Sequence, residues 1–137
     1  AACNILDACI SHIYHQRMLE VRNLDTAQQI EKYINDNIAW DLSIEHLCAH
    51  FSVSRAELYQ IFHTSFNSSV ADYIRSKRIA MAEQMIRTTA MQISEIAANV
   101  GFYDYNYFSK VFHRKFGCSP REYRKNLESS EEEAEKK

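Results

Sequence analysis

Apolar and polar residues alternate with a helical period in two neighbouring stretches near the end of the chain. In the first stretch, apolar side chains recur at intervals of three and four residues, which predicts a short amphipathic helix. These side chains are Ile93, Ile96, Ala97 and Val100. Gly101 follows and supplies the permissive backbone at which such a helix ends. Asp104 can cap a second helix three residues later.

The second helix is predicted to bury one face and to present the other to solvent. Its apolar face consists of Phe108, Val111 and Phe112, and its polar face consists of Asn106, Ser109, Lys110 and His113. A short helix, a tight turn and an amphipathic second helix with outward hydrogen-bonding residues are typical of a helix-turn-helix unit.

The same pattern occurs twice in the chain. Residues 43–73 overlay residues 92–123 at a near-constant offset, with one inserted residue. The matched positions are Ile44 with Ile93, Leu47 with Ile96, Ala49 with Ala98, Val53 with Phe102, Leu58 with Phe108, Phe62 and His63 with Phe112 and His113, Phe66 with Phe116, Ser69 with Ser119, Asp72 with Glu122, and Tyr73 with Tyr123. Agreement on both helix faces predicts two copies of one supersecondary unit.

Capping signals and charge runs divide the remainder of the chain. Helix starts are predicted at Thr26 to Gln29, Ser54 to Glu57, Ser69 to Asp72 and Ser119 to Glu122. We therefore expect an N-terminal helix or linker over 1–25, a first subdomain over 26–68, a linker helix over 69–88, a second subdomain over 89–127, and an acidic disordered tail over 128–137.

These elements predict an all-α fold of two helix-turn-helix subdomains joined by a long linker helix, with an extra N-terminal helix. Only 2 Gly and 1 Pro occur in 137 residues, and no strand-like alternation is present. A linker helix of about 18 residues would span about 27 Å. That length is close to the roughly 34 Å between successive major-groove faces of B-DNA, so two helices could enter adjacent grooves.

The first 42 residues leave more than one interpretation open. Residues 3–20 predict a helix with Ile5, Leu6, Cys9, Ile10 and Ile13 along one side. Its role could be the end of an upstream domain, a linker or a dimer contact. The chain lacks an initiating Met and a signal peptide, so we expect it to be cut from a longer protein with an effector-binding or dimerising domain upstream. Trp40 and Leu42 are expected to seal the end of the helix before the first unit.

Cysteines and histidines do not predict a metal site or a catalytic centre. We expect Cys3, Cys9, Cys48 and Cys118 to be reduced thiols of a cytoplasmic protein, since their spacing is irregular. A ligand set of Cys9, His12 and His15 is the alternative, but no fourth ligand is evident. No paired carboxylates, nucleophile with a base, or phosphate-binding Gly loop is recognisable. We therefore expect neither an enzyme nor a cofactor, and no apolar run is long enough to cross a membrane.

The charge is distributed unevenly. The formal net charge is −2, but residues 43–125 carry eleven basic and seven acidic side chains, a net charge of +4. The flanking segments each carry −3. A basic repeat region is compatible with phosphate binding. The candidate phosphate-binding residues are Arg75, Lys77, Arg78, His113, Arg121, Arg124 and Lys125.

Both predicted second helices carry side chains suited to base edges. Outward positions Ala56, Tyr59, Gln60 and His63 match Asn106, Ser109, Lys110 and His113. Gln and Asn pair with adenine, Lys binds the acceptors of guanine, and Ala contacts the thymine methyl group. An ordinary solvated face explains any one of these positions alone, but the duplication favours DNA reading.

The second unit resembles the signature of the AraC/XylS family of bacterial transcription regulators. The residues that carry this resemblance are Ile93, Ile96, Ala97, Val100, Gly101, Phe102, Tyr107, Phe108, Phe112, Phe116, Gly117, Ser119, Pro120, Tyr123 and Arg124. The resemblance covers about residues 26–126. It implies two helix-turn-helix subdomains, asymmetric promoter sites in double-stranded DNA, and commonly activation through RNA polymerase. It places base-reading roles on Arg55, Ala56, Tyr59, Gln60, Tyr105, Asn106, Ser109 and Lys110.

Two departures from the family pattern leave the operator sequence open. Gln60 stands where the first unit often has Arg, and Ser52 stands where its turn often has Gly. The leading hypothesis is a DNA-binding transcription regulator that reads adjacent major grooves. The alternative is a helical protein-interaction module that uses the same outward faces.

Overall fold

The computed structural model describes the backbone of residues 2–136 and the side chains of residues 9–18 and 21–136. This part of the chain contains only helices and the turns between them, which confirms the all-α prediction. The helices are α1 (Ala2–Asp36), α2 (Ile44–Phe51), α3 (Arg55–Ile61), α4 (Val70–Thr88), α5 (Ile93–Asn99), α6 (Tyr105–Phe116) and α7 (Pro120–Glu135). A π-helical segment, Phe62–Phe66, continues α3.

The chain forms two compact units, each with one helix-turn-helix. Unit 1 consists of the chain up to Asp36 and Ser43–Val70, and unit 2 consists of Asn37–Leu42 and the chain from Ala71 onwards. In unit 1, α3 packs against α1 and α2. The buried apolar side chains of unit 1 are Ala27, Ile30, Ile34, Leu47, Leu58, Ile61, Phe62 and Val70.

Side-chain caps begin both short helices of unit 1, and the sequence predicted the second of them. The Ser43 hydroxyl accepts a hydrogen bond from the backbone N–H of His46 at the start of α2. Ser54 and Glu57 form the predicted capping box at the start of α3. Between the helices, Ser52 adopts the left-handed conformation with φ 54°.

Unit 2 has its own apolar core. It contains Ile79, Ala82, Ile86, Ile93, Ile96, Ala97, Val100, Phe102, Phe108, Val111 and Phe112. The rings of Phe112 and Tyr123 meet edge to face with centroids 5.5 Å apart. The Tyr123 hydroxyl donates a hydrogen bond to the Glu83 carboxylate. Burial alone would raise the pKa of Glu83, but the hydrogen bonds from Tyr123 and Arg87 outweigh it, so the pKa is lowered.

The predicted break between residues 20 and 26 is wrong, because α1 runs without interruption from Ala2 to Asp36. Thr26 does not cap a new helix. Its hydroxyl donates to the carbonyl oxygen of Arg22 one turn earlier, as threonine does inside a helix. No Gly or Pro lies in this stretch to end the helix. The predicted positions Cys3, Ile5 and Leu6 lie outside the described side chains.

The predicted disorder of the acidic tail is also wrong for residues 128–135, since α7 continues to Glu135. Glu, Ala and Lys are strong helix formers, and the tail side chains are exposed along this extension. The hydroxyls of Ser129 and Ser130 donate to the carbonyl oxygens of Lys125 and Asn126. The absence of an apolar face therefore correctly predicted that the tail side chains are exposed to solvent. It did not predict that the tail backbone is helical.

Leu42 and Trp40 behave differently from each other. Leu42 is buried as predicted, but Trp40 is 71% exposed, so its predicted sealing role is wrong. The Trp40 backbone carbonyl accepts a hydrogen bond from Arg78, and its indole ring is left in solvent. The segment before α2 is thus held by its backbone and by Leu42.

Candidate nucleic-acid interface

Helix α6 is a regular amphipathic helix with defined ends. The Asp104 carboxylate accepts hydrogen bonds from the backbone N–H groups of Asn106 and Tyr107 at 2.9 and 3.3 Å. Gly117 ends the helix with φ 78°. Phe108 and Phe112 are fully buried in the core of unit 2. The predicted polar face of α6 is therefore directed away from that core.

The polar face of α6 lines a shallow, open depression on the surface of unit 2, which we call the groove. The groove is lined by Asn106, Ser109, Lys110, His113 and Arg114. Ser109 is half-buried and the other four side chains are exposed. The last turn of α6 also carries Lys115, so positive charge accumulates at the negative end of the helix dipole. This groove presents amide, hydroxyl, ammonium and guanidinium groups together.

Arg114 is a groove residue that the sequence reasoning did not select. It lies four residues after Lys110 and therefore on the same side of α6. The four-residue interval between Lys110 and Arg114 in the sequence was therefore the signal that could have identified Arg114. Its guanidinium is suited to a phosphate or to a guanine edge.

Tyr105 is the exception among the predicted base-reading residues of α6. Its side chain is half-buried and packs against the core of unit 2. Its ring centroid lies 6.2 Å from that of Phe108. Asn106, Ser109 and Lys110 remain together in the groove.

Helix α3 presents the corresponding positions of unit 1. Ala56, Tyr59, Gln60 and His63 are all exposed. Arg55 is exposed as well, and its guanidinium forms an ion pair with Glu45 of α2. The pair links the first residue of α3 to the preceding helix. A second surface depression, beside the end of α3, includes Tyr59, His63 and Asn67.

Arg78 has a structural position that does not match its predicted phosphate contact. Its guanidinium lies within unit 2 and is partly buried. Nε donates to the carbonyl oxygen of Ile38, and Nη2 donates to that of Trp40, both at 3.0 Å. Burial lowers the pKa of Arg78, while Tyr103 and Asp41 act in the opposite direction. The side chain holds residues 38–40 against α4, so we remove it from the phosphate set.

Arg124 is held in a similar way. Its two terminal nitrogens donate to the backbone carbonyls of Met91 and Thr89, in the turn between α4 and α5. Its Nε is buried without a hydrogen-bond partner. A guanidinium committed to two carbonyls is poorly placed to reach a phosphate, so Arg124 also leaves the phosphate set.

The other predicted phosphate residues lie nearer to solvent. Arg75 forms an ion pair with Asp72 at 2.8 Å, and the Lys77 ammonium lies 5.4 Å from the centre of the Tyr73 ring. His113, Arg121 and Lys125 are exposed. These five residues keep charge or hydrogen-bonding groups at the surface.

Three further findings concern the described residues only. None of their helices is long and apolar enough to span a bilayer. No group of three or more His, Cys, Asp or Glu side chains among them is arranged to hold a metal ion. Cys9, Cys48 and Cys118 are free thiols.

Comparison with known proteins identifies the pattern of the two units. A family model described as a helix-turn-helix domain matches residues 47–126. The transcriptional activator RhaR of Cronobacter sakazakii is 33% identical over 100 residues, which cover 73% of this chain and 35% of RhaR. The regulatory protein SoxS of Escherichia coli K12 is 34% identical over 104 residues, covering 71% of this chain and 97% of SoxS.

The fold also matches a solved regulator. The crystal structure of a Chromobacterium violaceum transcriptional regulator, described as AraC-type and containing a DNA-binding domain, has a TM-score of 0.67 and 25% identity. The match covers 79% of this chain and 94% of that one. This chain spans about a third of the length of RhaR. The chain therefore belongs to the AraC family of DNA-binding helix-turn-helix transcription regulators.

Proposed function

We propose that this chain reads a specific site in double-stranded DNA by placing α3 and α6 in successive major grooves. In α6, Asn106, Ser109 and Lys110 contact base edges. In α3, Ala56, Tyr59 and Gln60 do so, and Arg55 joins them when it leaves Glu45. The groove along α6 is the observation that carries the proposal, because it gathers donors and acceptors on the face opposite a fully buried apolar face.

The side-chain chemistry along α6 suggests base contacts from the first part of the helix and phosphate contacts from the last part. Asn106 can make two hydrogen bonds to adenine, and Lys110 can donate to the O6 and N7 atoms of guanine. His113 and Arg114 lie later in the helix and suit the DNA backbone phosphates or the edge of the DNA major groove. Specificity thus comes from the first two turns, and positioning comes from the last turn.

Phosphate contacts are proposed for the surface cations that remain after Arg78 and Arg124 are removed and the groove residue Arg114 is added. These are Arg75, Lys77, His113, Arg114, Arg121 and Lys125. Each phosphate contact releases condensed counterions, so affinity should fall steeply as salt is added. Arg75 and Lys77 exchange their contacts with Asp72 and the Tyr73 ring for phosphate oxygens.

The biological role that we propose is regulation of a bacterial promoter, most directly activation. RhaR is named as an activator, and this chain is 33% identical to it over 100 residues. An activator acting at a promoter would contact RNA polymerase. We further propose a cytoplasmic protein whose effector-binding or dimerising domain lies in a longer chain, because RhaR extends well beyond the matched region.

The first experiment identifies the binding site and then tests Lys110. Selection of bound sequences from a random duplex pool gives a consensus site and a matched random duplex. Lys110→Ala should weaken binding to the consensus site by about 1–3 kcal/mol and relax the preference at one base pair. Fluorescence anisotropy at several salt concentrations measures both effects.

Lys125→Ala is the matched control, because it removes the same charge from an exposed position on α7. It should weaken consensus and random duplexes equally and reduce the salt slope by about one. An equal loss on both duplexes for Lys110→Ala would assign Lys110 to phosphate and would contradict its base-reading role. Absence of salt-dependent affinity for any duplex would reject the proposed function and favour the protein-interaction alternative.

A further inference from the structure

The first two-thirds of α1 carry a row of large apolar side chains that the fold of unit 1 does not cover. Their exposed fractions are between 53% and 67%. The residues are Ile10, Ile13, Tyr14, Met18, Val21 and Leu24, and we call this row the N-terminal stripe. Soluble proteins rarely leave a contiguous apolar row of this length in water unless it binds something.

The N-terminal stripe is a separate face of α1, distinct from the face that builds the core of unit 1. With about 100° of rotation per residue, its six residues fall within an arc of about 140°. Ala27, Ile30 and Ile34 are buried, and they lie about 140° around the helix from the middle of the stripe. One continuous helix therefore presents two apolar faces in two directions, and the second face needs its own partner.

We propose that the N-terminal stripe pairs with the same stripe of a second copy of this chain. Ile10, Tyr14, Arg17, Val21 and Leu24 recur at alternating intervals of four and three residues, which is the spacing of a coiled-coil seam. Ile13 and Met18 flank that seam and widen it. A second copy presents an identical seam, so the two surfaces match by two-fold symmetry.

The area of the stripe suits this occupant. Six side chains at these exposed fractions present roughly 700 Å² of mostly apolar surface per chain, near the roughly 800 Å² per partner of a standard protein interface. A lipid surface fits less well. The opposite face of α1 carries Ser11, His12, His15 and Gln16, without the Lys-rich row that holds an amphipathic helix on a membrane.

Arg17 sets the strength of the pairing. It is the one charged residue in the seam from residue 10 to residue 24, and it lies at the middle of that interval. In either orientation of two helices paired over this interval, Arg17 therefore lies close to Arg17 of the other copy. A single polar residue in an apolar seam fixes the register but weakens association. We expect a reversible dimer whose affinity rises when this charge is removed.

Sedimentation equilibrium of the 137-residue chain without DNA tests the proposal over about 1–500 µM, a range that resolves micromolar to submillimolar dissociation constants. The parent chain should show a reversible monomer–dimer equilibrium. Tyr14→Lys should weaken it more than tenfold, and Arg17→Leu should tighten it about tenfold or more. His12→Lys is the matched control, because it adds a charge to an exposed position on the opposite side of α1 and should leave the equilibrium unchanged.

Circular dichroism on each variant confirms that helix content is retained, so a lost dimer is not an unfolded chain. A monomer throughout this range for both the parent chain and Arg17→Leu would overturn the proposal and leave the stripe to a different protein segment. An equal effect of His12→Lys and Tyr14→Lys would overturn it too. Since the measurement uses no DNA, failure here is separate from failure of the DNA-reading role.

Discussion

The two helix-turn-helix units bend the chain at the same two places but use different residues to do so. Within the described backbone, four residues have positive φ: Ser52 and Asn67 in unit 1, and Gly101 and Gly117 in unit 2. The repeat alignment pairs Ser52 with Gly101 and Asn67 with Gly117. Both Gly residues of the chain therefore lie in unit 2, at positions where unit 1 has side chains.

The same turn can be formed by a short polar residue, and it requires Gly where another part of the chain lies against it. Ser52 and Asn67 have φ of 54° and 48°, inside the left-handed region that short polar residues adopt at moderate cost. Gly101 has φ of 95°, and a Cβ there would lie 2.9 Å from both the Ile38 carbonyl oxygen and Arg78 Nε. Unit 2 needs Gly at this turn because the Arg78 side chain and the Ile38 carbonyl oxygen lie close to it, whereas unit 1 tolerates Ser.

The largest effect should come from Gly101→Ala. The new methyl group meets a backbone carbonyl that cannot move cheaply, and φ of 95° is strained for Ala, so we expect a loss of about 3–5 kcal/mol. Gly117→Ala is the control, because no atom lies within 4 Å of the position that its new methyl group would occupy and only the backbone strain of about 1 kcal/mol remains. Denaturant unfolding measures both losses. Equal losses would show that the close contact with Arg78 and Ile38 costs nothing.

An intermediate effect is expected from Arg124→Ala. The alignment pairs Arg124 with Ile74, so only the second copy of the repeat has a guanidinium at this position. Removal of its bonds to the carbonyls of Met91 and Thr89 should cost about 2 kcal/mol. Native-state hydrogen exchange should place the loss in unit 2, and Lys125→Ala should change stability by less than about 0.5 kcal/mol.

DNA binding then separates the two roles considered for Arg124. A clamp on the turn between α4 and α5 predicts that Arg124→Ala leaves the salt slope of DNA binding unchanged under conditions where unit 2 is folded. A decrease of about one in that slope would instead restore Arg124 to the phosphate-binding set.

The smallest effect should come from Ser52→Gly. Gly accepts the left-handed conformation without strain but adds freedom to the unfolded chain, so a net gain of about 0.5–1 kcal/mol is expected. Thermal unfolding measures the gain, and affinity for the consensus duplex should not change. A loss of stability would show that the Ser52 side chain contributes contacts that offset its strain.

Sequence periodicity was sufficient for the elements whose signals are local. The capping box at Ser54 and Glu57, the cap at Asp104 and the buried face of α6 follow from side chains within four residues of each other. These interactions depend on helix geometry alone. The polar face of α6 could be predicted for the same reason, because the residues opposite a buried helix face are exposed to solvent.

Sequence reasoning failed where distant parts of the chain decide the outcome. The phosphate roles of Arg78 and Arg124 were predicted without knowledge that both side chains donate to carbonyls more than thirty residues away. Trp40 was predicted to pack against the core, but its indole ring is exposed and its backbone carbonyl is held by a hydrogen bond from Arg78. The cap motif at Thr26 was misread because the same residues also suit the interior of a helix.

The unbroken backbone of α1 has a mechanical consequence. A helix of 35 residues is about 52 Å long and resists twisting, so it has no joint that could absorb a change of angle. A twist applied around Ile10 would be passed to Ile30 and Ile34 and from there to the packing beneath α3. An inserted Gly-Gly pair near residue 22 would act as a swivel and would uncouple the two ends.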